Sequence, residues 1–115
     1  MRYANNKMED VVIAYIGGGS RGWAWTFMTD LALDDQISGT IRLYDIDHAA
    51  AAANETIGNE LMQRPDAKGK WKFEVASDIE KALTGCDFVV ISILPGTFDE
   101  MESDVHLPER LGIYQ

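Results

Sequence analysis

Residues 17–22 read GGGSRG and have the spacing of a phosphate-binding loop. Gly17, Gly19 and Gly22 satisfy the pattern G-x-G-x-x-G, and the segment lies between an apolar run and a helical pattern. In such a loop the first glycine permits a tight turn, the second lets a pyrophosphate approach the backbone, and the third lets the helix pack closely on the strand. Ser20 can cap the helix or donate its hydroxyl to a phosphate. The alternative is a plain β–α turn, which also favours glycine.

Asp45 ends the second β-like run, 23 residues after Gly22. A carboxylate at this place accepts the hydroxyls of an adenosine ribose and repels a 2′-phosphate, so it favours NAD over NADP. The alternative for Asp45 is an ordinary turn residue at the end of a strand. Arg21 could favour NADP, but it lies in the phosphate loop, where a phosphate contact or a solvated side chain is expected.

A second candidate cofactor segment ends the fourth apolar run, at residues 93–96. In a doubly wound α/β fold such a segment passes the second ribose of the cofactor. The alternative is simple termination of a strand. The predicted cofactor-binding residues are therefore Gly17, Gly18, Gly19, Ser20, Asp45, Ile93, Leu94, Pro95 and Gly96.

Acidic residues between positions 99 and 104 raise the possibility of an acid pair for hydrolysis by two carboxylates. A solvated helix face is the preferred interpretation, with Phe98, Met101 and Val105 turned inward. His106 is a candidate for lining a substrate pocket.

Cys86 is predicted to be a small core residue, because no neighbouring base would activate it as a nucleophile. Neither His48 nor His106 has the spacing to another ligand that a metal site requires. These residues therefore give no support for a metal site in this chain.

Four apolar runs alternate with helical patterns, and they predict strands at residues 11–16, 40–44, 71–75 and 86–94. The last of these strands is predicted to be central and buried. Strands that are separated by helices pair in parallel through right-handed crossovers. The predicted fold class is α/β: a Rossmann-type parallel sheet with helices on both faces, in the strand order 3-2-1-4. A complete doubly wound sheet needs further strands. We therefore expect residues 11–115 to be the N-terminal part of a truncated NAD-binding domain, preceded by a flexible N-terminus at residues 1–10.

The helical patterns also predict which side chains are buried. The first helix should bury Trp23, Phe27 and Leu31, with Ala24 and Met28 alongside, and the second should bury Ala50, Ala53, Ile57 and Leu61. Trp25 falls off the first stripe, so it is expected to face a partner or a further part of the chain.

The composition restricts the partners of this 115-residue chain. Ten Lys and Arg residues stand against 19 Asp and Glu residues, which gives a net charge of −9 that disfavours nucleic acid and anionic membrane surfaces. No apolar run approaches the roughly 20 residues of a membrane span. One cysteine cannot form an internal disulfide, and this fits a reducing compartment. These features favour a cytoplasmic domain.

Three segments resemble glycoside hydrolase family 4: residues 13–23 (IAYIGGGSRGW), 43–47 (LYDID) and 91–102 (ISILPGTFDEME). Residues 104–115 continue the match. The α-galacturonidase and α-galactosidase-like members are the most similar, and the resemblance covers nearly all of the chain after residue 10.

The resemblance implies a hydrolase that uses NAD and a divalent metal, often manganese, on a glycoside or uronide substrate. In the implied reaction C3 of the sugar is oxidised, the C2 proton is removed, the leaving group is eliminated, water is added and C3 is reduced. This family is an exception to the two-carboxylate scheme. Members commonly form homo-oligomers through a region beyond the part that this sequence matches.

The metal-binding Cys and His and the catalytic base of the family lie further along a longer chain. The resemblance therefore implies that this chain alone is inactive, and that Cys86 is not the ligand cysteine. Phospho-sugar members carry an arginine after the fourth strand. Residues 98–104 contain none, which disfavours a sugar 6-phosphate.

Three other functions fit the glycine loop and Asp45. One is a fragment of an NAD-dependent dehydrogenase, and another is a methyltransferase that binds S-adenosylmethionine. The third is a non-catalytic dinucleotide-binding module.

Overall fold

The computed structural model describes residues 1–114 as a sheet with four helices. The strands are β1 (Arg2–Ala4), β2 (Lys7–Ile16), β3 (Ile37–Tyr44), β4 (Lys70–Val75) and β5 (Phe88–Ile91). The helices are α1 (Trp23–Leu33), α2 (His48–Leu61), α3 (Ile79–Leu83) and α4 (Phe98–Glu109). None of the helices in these residues combines the length and the apolar character needed to cross a membrane.

Four of the strands are parallel and lie in the order β4-β3-β2-β5. Counted as the four predicted strands, this is the order 3-2-1-4, so the predicted Rossmann-type arrangement is confirmed. Ile16 of β2 lies beside Tyr44 of β3 on one side and beside Ile91 of β5 on the other. The carboxyl ends of three strands therefore meet at one edge of the sheet.

Residues 1–10, for which the sequence predicts a flexible N-terminus, are mostly paired in the structure. β1 runs antiparallel to the first part of β2, with Arg2 opposite Glu9. Asn5 and Asn6 connect the two strands with φ angles of 53° and 61°, a left-handed conformation that asparagine tolerates in a two-residue hairpin turn. The sheet is consequently mixed rather than wholly parallel, and β2 begins four residues before the predicted start.

The helices cover both faces of the sheet, as predicted. α1 and α2 enclose the larger core with one face of β2, β3 and β4, and α3 packs on the opposite face. β2 is buried on both sides, because Ile13 and Tyr15 enter the larger core whereas Ala14 packs on the α3 side. The larger core consists of Val11, Ile13, Tyr15, Ala24, Met28, Ile41, Leu43, Ala51, Trp71 and Phe73.

The most deeply buried stripe of each long helix differs from the predicted one: Ala24 and Met28 are buried as predicted, but most of the large predicted side chains are not. α1 buries Ala24, Met28 and Ala32, whereas Trp23 is 76% exposed. α2 buries Ala51, Asn54 and Gly58, whereas Ile57 is 40% exposed. A Cβ at position 58 would lie 2.6 Å from the ring of Phe73. Close approach of the helix to the sheet therefore selects the buried face more strongly than hydrophobicity does.

The prediction that the last strand is central and buried is wrong for the described residues. Within residues 1–114 β5 pairs with β2 alone, and Phe88 and Ile91 are 50% and 68% exposed. α4 buries none of its residues, and Phe98 and Met101, which the sequence turns inward, are exposed together with the acidic residues. Apolar composition predicts burial only where another element supplies the cover, and residues 1–114 bring none to this edge.

Candidate functional site

A cleft of about 640 Å³ lies where the carboxyl ends of β2, β3 and β5 meet. Its walls are the glycine loop, the turn after β3, the beginnings of α2 and α3, and the segment after β5. Six of the nine predicted cofactor-binding residues line it: Gly17, Gly19, Ser20, Asp45, Ile93 and Leu94. Open α/β sheets bind ligands at this type of position, outside the carboxyl ends of the strands.

The other three predicted residues lie outside the lining of the cleft. Gly18 is buried beneath the loop, where a Cβ would lie 2.8 Å from the Cβ of Leu43. Pro95 and Gly96 are exposed, and Gly96 has a φ of 116° in the turn that leads into α4. Of the segment at residues 93–96, only the first half therefore faces the candidate site.

Gly17 makes the tight turn that the glycine pattern predicts. Its φ is 95°, and a Cβ there would lie 1.9 Å from the carbonyl oxygen of Ser92. The N–H groups of Gly17 and Gly18 both donate to the carbonyl oxygen of Tyr44 at 2.9 Å. The loop is thereby attached to the end of β3, and the end of β5 lies directly against it.

The structure explains the glycines at positions 19 and 22 differently from the sequence prediction. A Cβ at position 19 would lie 2.7 Å from the Cβ of Ala50 and 2.9 Å from Oδ2 of Asp45. The absence of a side chain at position 19 is thus required by the protein itself, whether or not a ligand approaches. Gly22 was predicted to allow close helix–strand packing, but a Cβ there would meet no atom within 4 Å. It lies instead at the N-cap of α1.

Asp45 joins the turn after β3 to the glycine loop. Its Oδ2 accepts the N–H of Gly19 at 2.8 Å, and its Oδ1 accepts the N–H of Asp47 at 2.9 Å. Asp47 in turn caps α2, because its Oδ1 accepts the N–H of Ala50 at 3.0 Å. Each oxygen of an ionised carboxylate has a further lone pair. Asp45 can therefore serve as a turn residue and accept ligand hydroxyls at the same time.

The N-terminus of α1 presents backbone donors without acceptors. Thr26 donates the first helical hydrogen bond, to the carbonyl oxygen of Gly22 at 3.1 Å, and within residues 1–114 no acceptor meets the five N–H groups at positions 21–25. No side chain caps this helix, and its first turn contains no acidic residue. Ser20, a predicted cap, does not fill this role. Unpaired N–H groups and the helix dipole favour an anion at such a terminus.

Two exposed isoleucines add apolar surface to the cleft and were missed by sequence reasoning. Ile46, directly after Asp45, is 90% exposed, and Ile79, the first residue of α3, is 47% exposed. Both line the cleft. The sequence signal was an apolar residue between the two carboxylates of a strand-end turn.

Asn54 is the second site residue that sequence reasoning missed. It is 2% exposed, and its Nδ2 donates to the carbonyl oxygens of Gly18 at 2.7 Å and Ser20 at 2.9 Å. Its Oδ1 accepts the indole N–H of Trp25 at 2.8 Å. Its signal in the sequence is a polar residue three positions after Ala51 on the buried stripe of an Ala-rich helix.

The remaining chemical candidates lie away from the cleft. The Nδ1 atom of His106 is 2.8 Å from a carboxylate oxygen of Glu109, whose hydrogen bond and charge raise the pKa of His106. His106 is exposed on α4 and does not line the cleft. Cys86 is partly buried and packs against the smaller core, which consists of Ala14, Ala76 and Ala82. In the described part of the chain, no three His, Cys, Asp or Glu side chains cluster as metal ligands would.

Curated relatives match the whole chain, two α-galacturonidases among them. The α-galacturonidase of Lachnoclostridium phytofermentans is 70% identical over 115 residues, which is 100% of this chain and 25% of that protein. The α-galacturonidase of Thermoanaerobacterium saccharolyticum is 64% identical with the same coverage. The chain therefore spans about a quarter of the length of these relatives.

Solved structures share the fold. The crystal structure of the Bacillus subtilis protein lplD matches with a TM-score of 0.73 at 54% identity, over 94% of this chain and 24% of that one. A 6-phospho-β-glucosidase from Thermotoga maritima, solved with NAD and glucose-6-phosphate, has a TM-score of 0.62 at 23% identity, over 91% of this chain and 24% of that one. This second likeness shows the fold alone. The sequence profile described as Family 4 glycosyl hydrolase matches residues 12–115, and the chain belongs to that family.

Proposed function

We propose that this chain is the NAD-binding N-terminal part of a family 4 glycosidase. The observation that carries the proposal is the bond between Asp45 and the glycine loop. One carboxylate lines the cleft and also accepts the N–H of Gly19 at 2.8 Å. A ribose acceptor and a phosphate-binding loop are thereby joined beside the uncapped N-terminus of α1. This combination fits an adenine dinucleotide better than it fits an isolated phosphate.

The residues of the cleft would hold NAD through distinct contacts. The N–H groups at the start of α1 and the hydroxyl of Ser20 would bind the pyrophosphate. Asp45 would accept the hydroxyls of the adenosine ribose, and Ile46 and Ile79 would offer apolar surface to the adenine. Residues 93–94 would pass the second ribose. When bound, NAD supplies a hydride acceptor that can return the hydride later in the same reaction.

The proposed substrate is a small glycoside, with an α-galacturonide first among the candidates. Two relatives that are 70% and 64% identical bear the name α-galacturonidase, and residues 98–104 contain no arginine that would pair with a sugar phosphate. The described residues do not fit a metal centre, so this chain is assigned no step that uses a metal. Manganese, homo-oligomers and a cytoplasmic location remain predictions for the whole enzyme.

A thermal unfolding experiment on the 115-residue chain tests nucleotide binding. A ligand that binds only the folded state stabilises it by RT ln(1 + [L]/Kd), so NAD should raise the melting temperature in proportion to the logarithm of its concentration. NADP should raise it less, and S-adenosylmethionine should not raise it. No shift at millimolar NAD, in a chain that circular dichroism shows to be folded, would refute the proposal. A shift with S-adenosylmethionine alone would favour the methyltransferase alternative.

An activity assay tests the proposed division of the enzyme. We expect no release of nitrophenol from nitrophenyl α-galacturonide by the 115-residue chain with NAD and manganese, because the family resemblance places the catalytic base further along a longer chain. A chain extended to the length of its relatives should release nitrophenol only when NAD is present. Hydrolysis by the short chain would contradict this division. Hydrolysis by the long chain after complete removal of NAD would contradict the cofactor role.

A further inference from the structure

Among the polar and charged residue types, Asn54 is the one that is buried in the described part of the chain. It lies on α2 and makes three hydrogen bonds of 2.7–2.9 Å to two other parts of the molecule, the glycine loop and α1. Its partners fix the orientation of the amide. The two loop carbonyls can only accept, so they require the NH₂ group, and the indole N–H of Trp25 can only donate, so it requires the oxygen.

The two bonds to the loop determine where the next two N–H groups point. In a trans peptide the C=O of one residue and the N–H of the next point in opposite directions across a rigid plane. Because Asn54 holds the carbonyl of Gly18, the N–H of Gly19 is turned away from the Asn54 amide, and it meets the carboxylate of Asp45. Because Asn54 also holds the carbonyl of Ser20, the N–H of Arg21 is turned away as well.

The N–H of Arg21 is the first of the five backbone donors that meet no acceptor in the described residues. Asn54 therefore fixes a peptide plane at the point where the loop enters the anion-binding terminus of α1. Trp25, in the first turn of that helix, holds the oxygen of the same amide. The glycine loop and the first turn of α1 are thus both held by one side chain on α2.

From this geometry we infer that Asn54, oriented by Trp25, is a positioning residue for the pyrophosphate of a dinucleotide. It presets the N–H groups of the loop before the ligand arrives, and it does not contact the ligand itself. The inference rests on the proposed function. It also assigns a role to Trp25, which the sequence predicts to face a partner or a further part of the chain.

The test compares ADP, which carries a pyrophosphate, with adenosine, which carries no phosphate. In Asn54→Ala the dissociation constant for ADP, measured by NMR titration of the 115-residue chain, should rise by about tenfold or more. The dissociation constant for adenosine should change by less than about threefold, because the contacts to Asp45 and the apolar wall remain. Trp25→Phe keeps an aromatic ring but removes the indole N–H, and it should shift the ADP constant in the same direction by a smaller factor.

Asn59→Ala is the matched control. Asn59 lies on the same helix and also bonds to backbone groups in both directions, but its partner is Phe73 of β4, at 2.8 and 3.0 Å. This variant should lose stability in urea without changing the ratio of the ADP and adenosine constants. A ratio that changes equally in both asparagine variants would show a general loss of fold and would overturn the inference.

The remaining outcomes of these experiments test the inference about Asn54 separately from the proposed function. ADP binding by Asn54→Ala at the affinity of the unaltered chain overturns the inference and leaves the proposed function intact. If Asn54→Ala does not fold, unchanged ADP binding in Trp25→Phe overturns it instead. If the unaltered chain binds neither NAD nor ADP, the proposed function fails, and the inference fails with it.

Discussion

The substitution Asp45→Asn separates two roles of one carboxylate: it anchors the glycine loop through backbone N–H groups, and it is proposed to accept the ribose hydroxyls. In the structure Oδ2 of Asp45 accepts the N–H of Gly19 and Oδ1 accepts the N–H of Asp47, at 2.8 and 2.9 Å. An amide of the same shape has one accepting oxygen and one NH₂ group that can only donate. One backbone N–H must therefore lose its acceptor, and the side chain also loses its charge and one of its two acceptors for a ribose.

The magnitude follows from the hydrogen bonds that are lost. A hydrogen bond to a charged group contributes about 1.5–3 kcal/mol, so loss of one ribose bond should raise the dissociation constant for NAD by about 10- to 150-fold. Any loosening of the loop would weaken NAD and NADP equally, because both carry the same pyrophosphate. For NADP, the loss of the negative charge also removes repulsion of the 2′-phosphate. The ratio of the NADP constant to the NAD constant should therefore fall by at least about tenfold.

The assay is isothermal titration of the 115-residue chain with each nucleotide at one ionic strength. Asp47→Asn is the control, because Asp47 lines the same cleft and asparagine caps a helix as well as aspartate does. It removes the same charge and should leave the ratio unchanged. If Asp45→Asn weakens both nucleotides with an unchanged ratio, Asp45 only anchors the loop. If Asp47→Asn lowers the ratio of the NADP constant to the NAD constant as much as Asp45→Asn does, the preference for NAD comes from the general negative charge of the cleft.

Three further predictions concern stability. Gly17→Ala places a Cβ 1.9 Å from a carbonyl oxygen at a φ of 95°, so the free energy of unfolding in urea should fall by about 2–4 kcal/mol, whereas Gly22→Ala should change it by less than about 1 kcal/mol. Asn59→Ala, which removes two bonds to the backbone of β4, should lower the free energy of unfolding by about 1–3 kcal/mol, and an unchanged urea midpoint would refute this. The hydroxyl and the N–H of Thr97 hold the pKa of Glu100 below its usual value, so the stabilisation of α4 should be present above that usual value and disappear as the pH falls through the folded-state pKa. An NMR titration in which Glu100 has the same midpoint before and after Thr97→Ala would contradict this assignment.

The sheet order and the start of the site could be predicted because their signals are local. A continuous apolar run such as residues 11–16 indicates a strand that is buried on both faces, and glycines directly after it mark the turn into a helix. Asp45 was found in the same way, by its distance along the chain from the loop. Both the glycine loop and Asp45 depend on residues within one β–α–β unit, so the order of residue types is enough to find them.

The parts that were missed depend on contacts between distant residues. Asn54 is 34 and 36 positions from the two loop residues whose carbonyls it holds, and only the packed structure brings them together. Gly22 has the correct spacing for a packing glycine but meets open space. The exposure of β5 was missed for a related reason, because an apolar sequence indicates a preference for burial and does not show which element provides it.

The geometry of the loop also explains how a chain of net charge −9 can favour an anionic ligand. Near the loop the carboxylate of Asp45 is occupied by two backbone N–H groups, and the amide of Asn54 is occupied by two backbone carbonyls. Carbonyl oxygens are thus turned toward α2, while N–H groups at the start of α1 keep their positive ends without acceptors in residues 1–114. Oriented peptide dipoles act at short range, where the distant surface charge is screened by salt. Selectivity for a dinucleotide can therefore come from how the backbone is held rather than from lysine or arginine side chains.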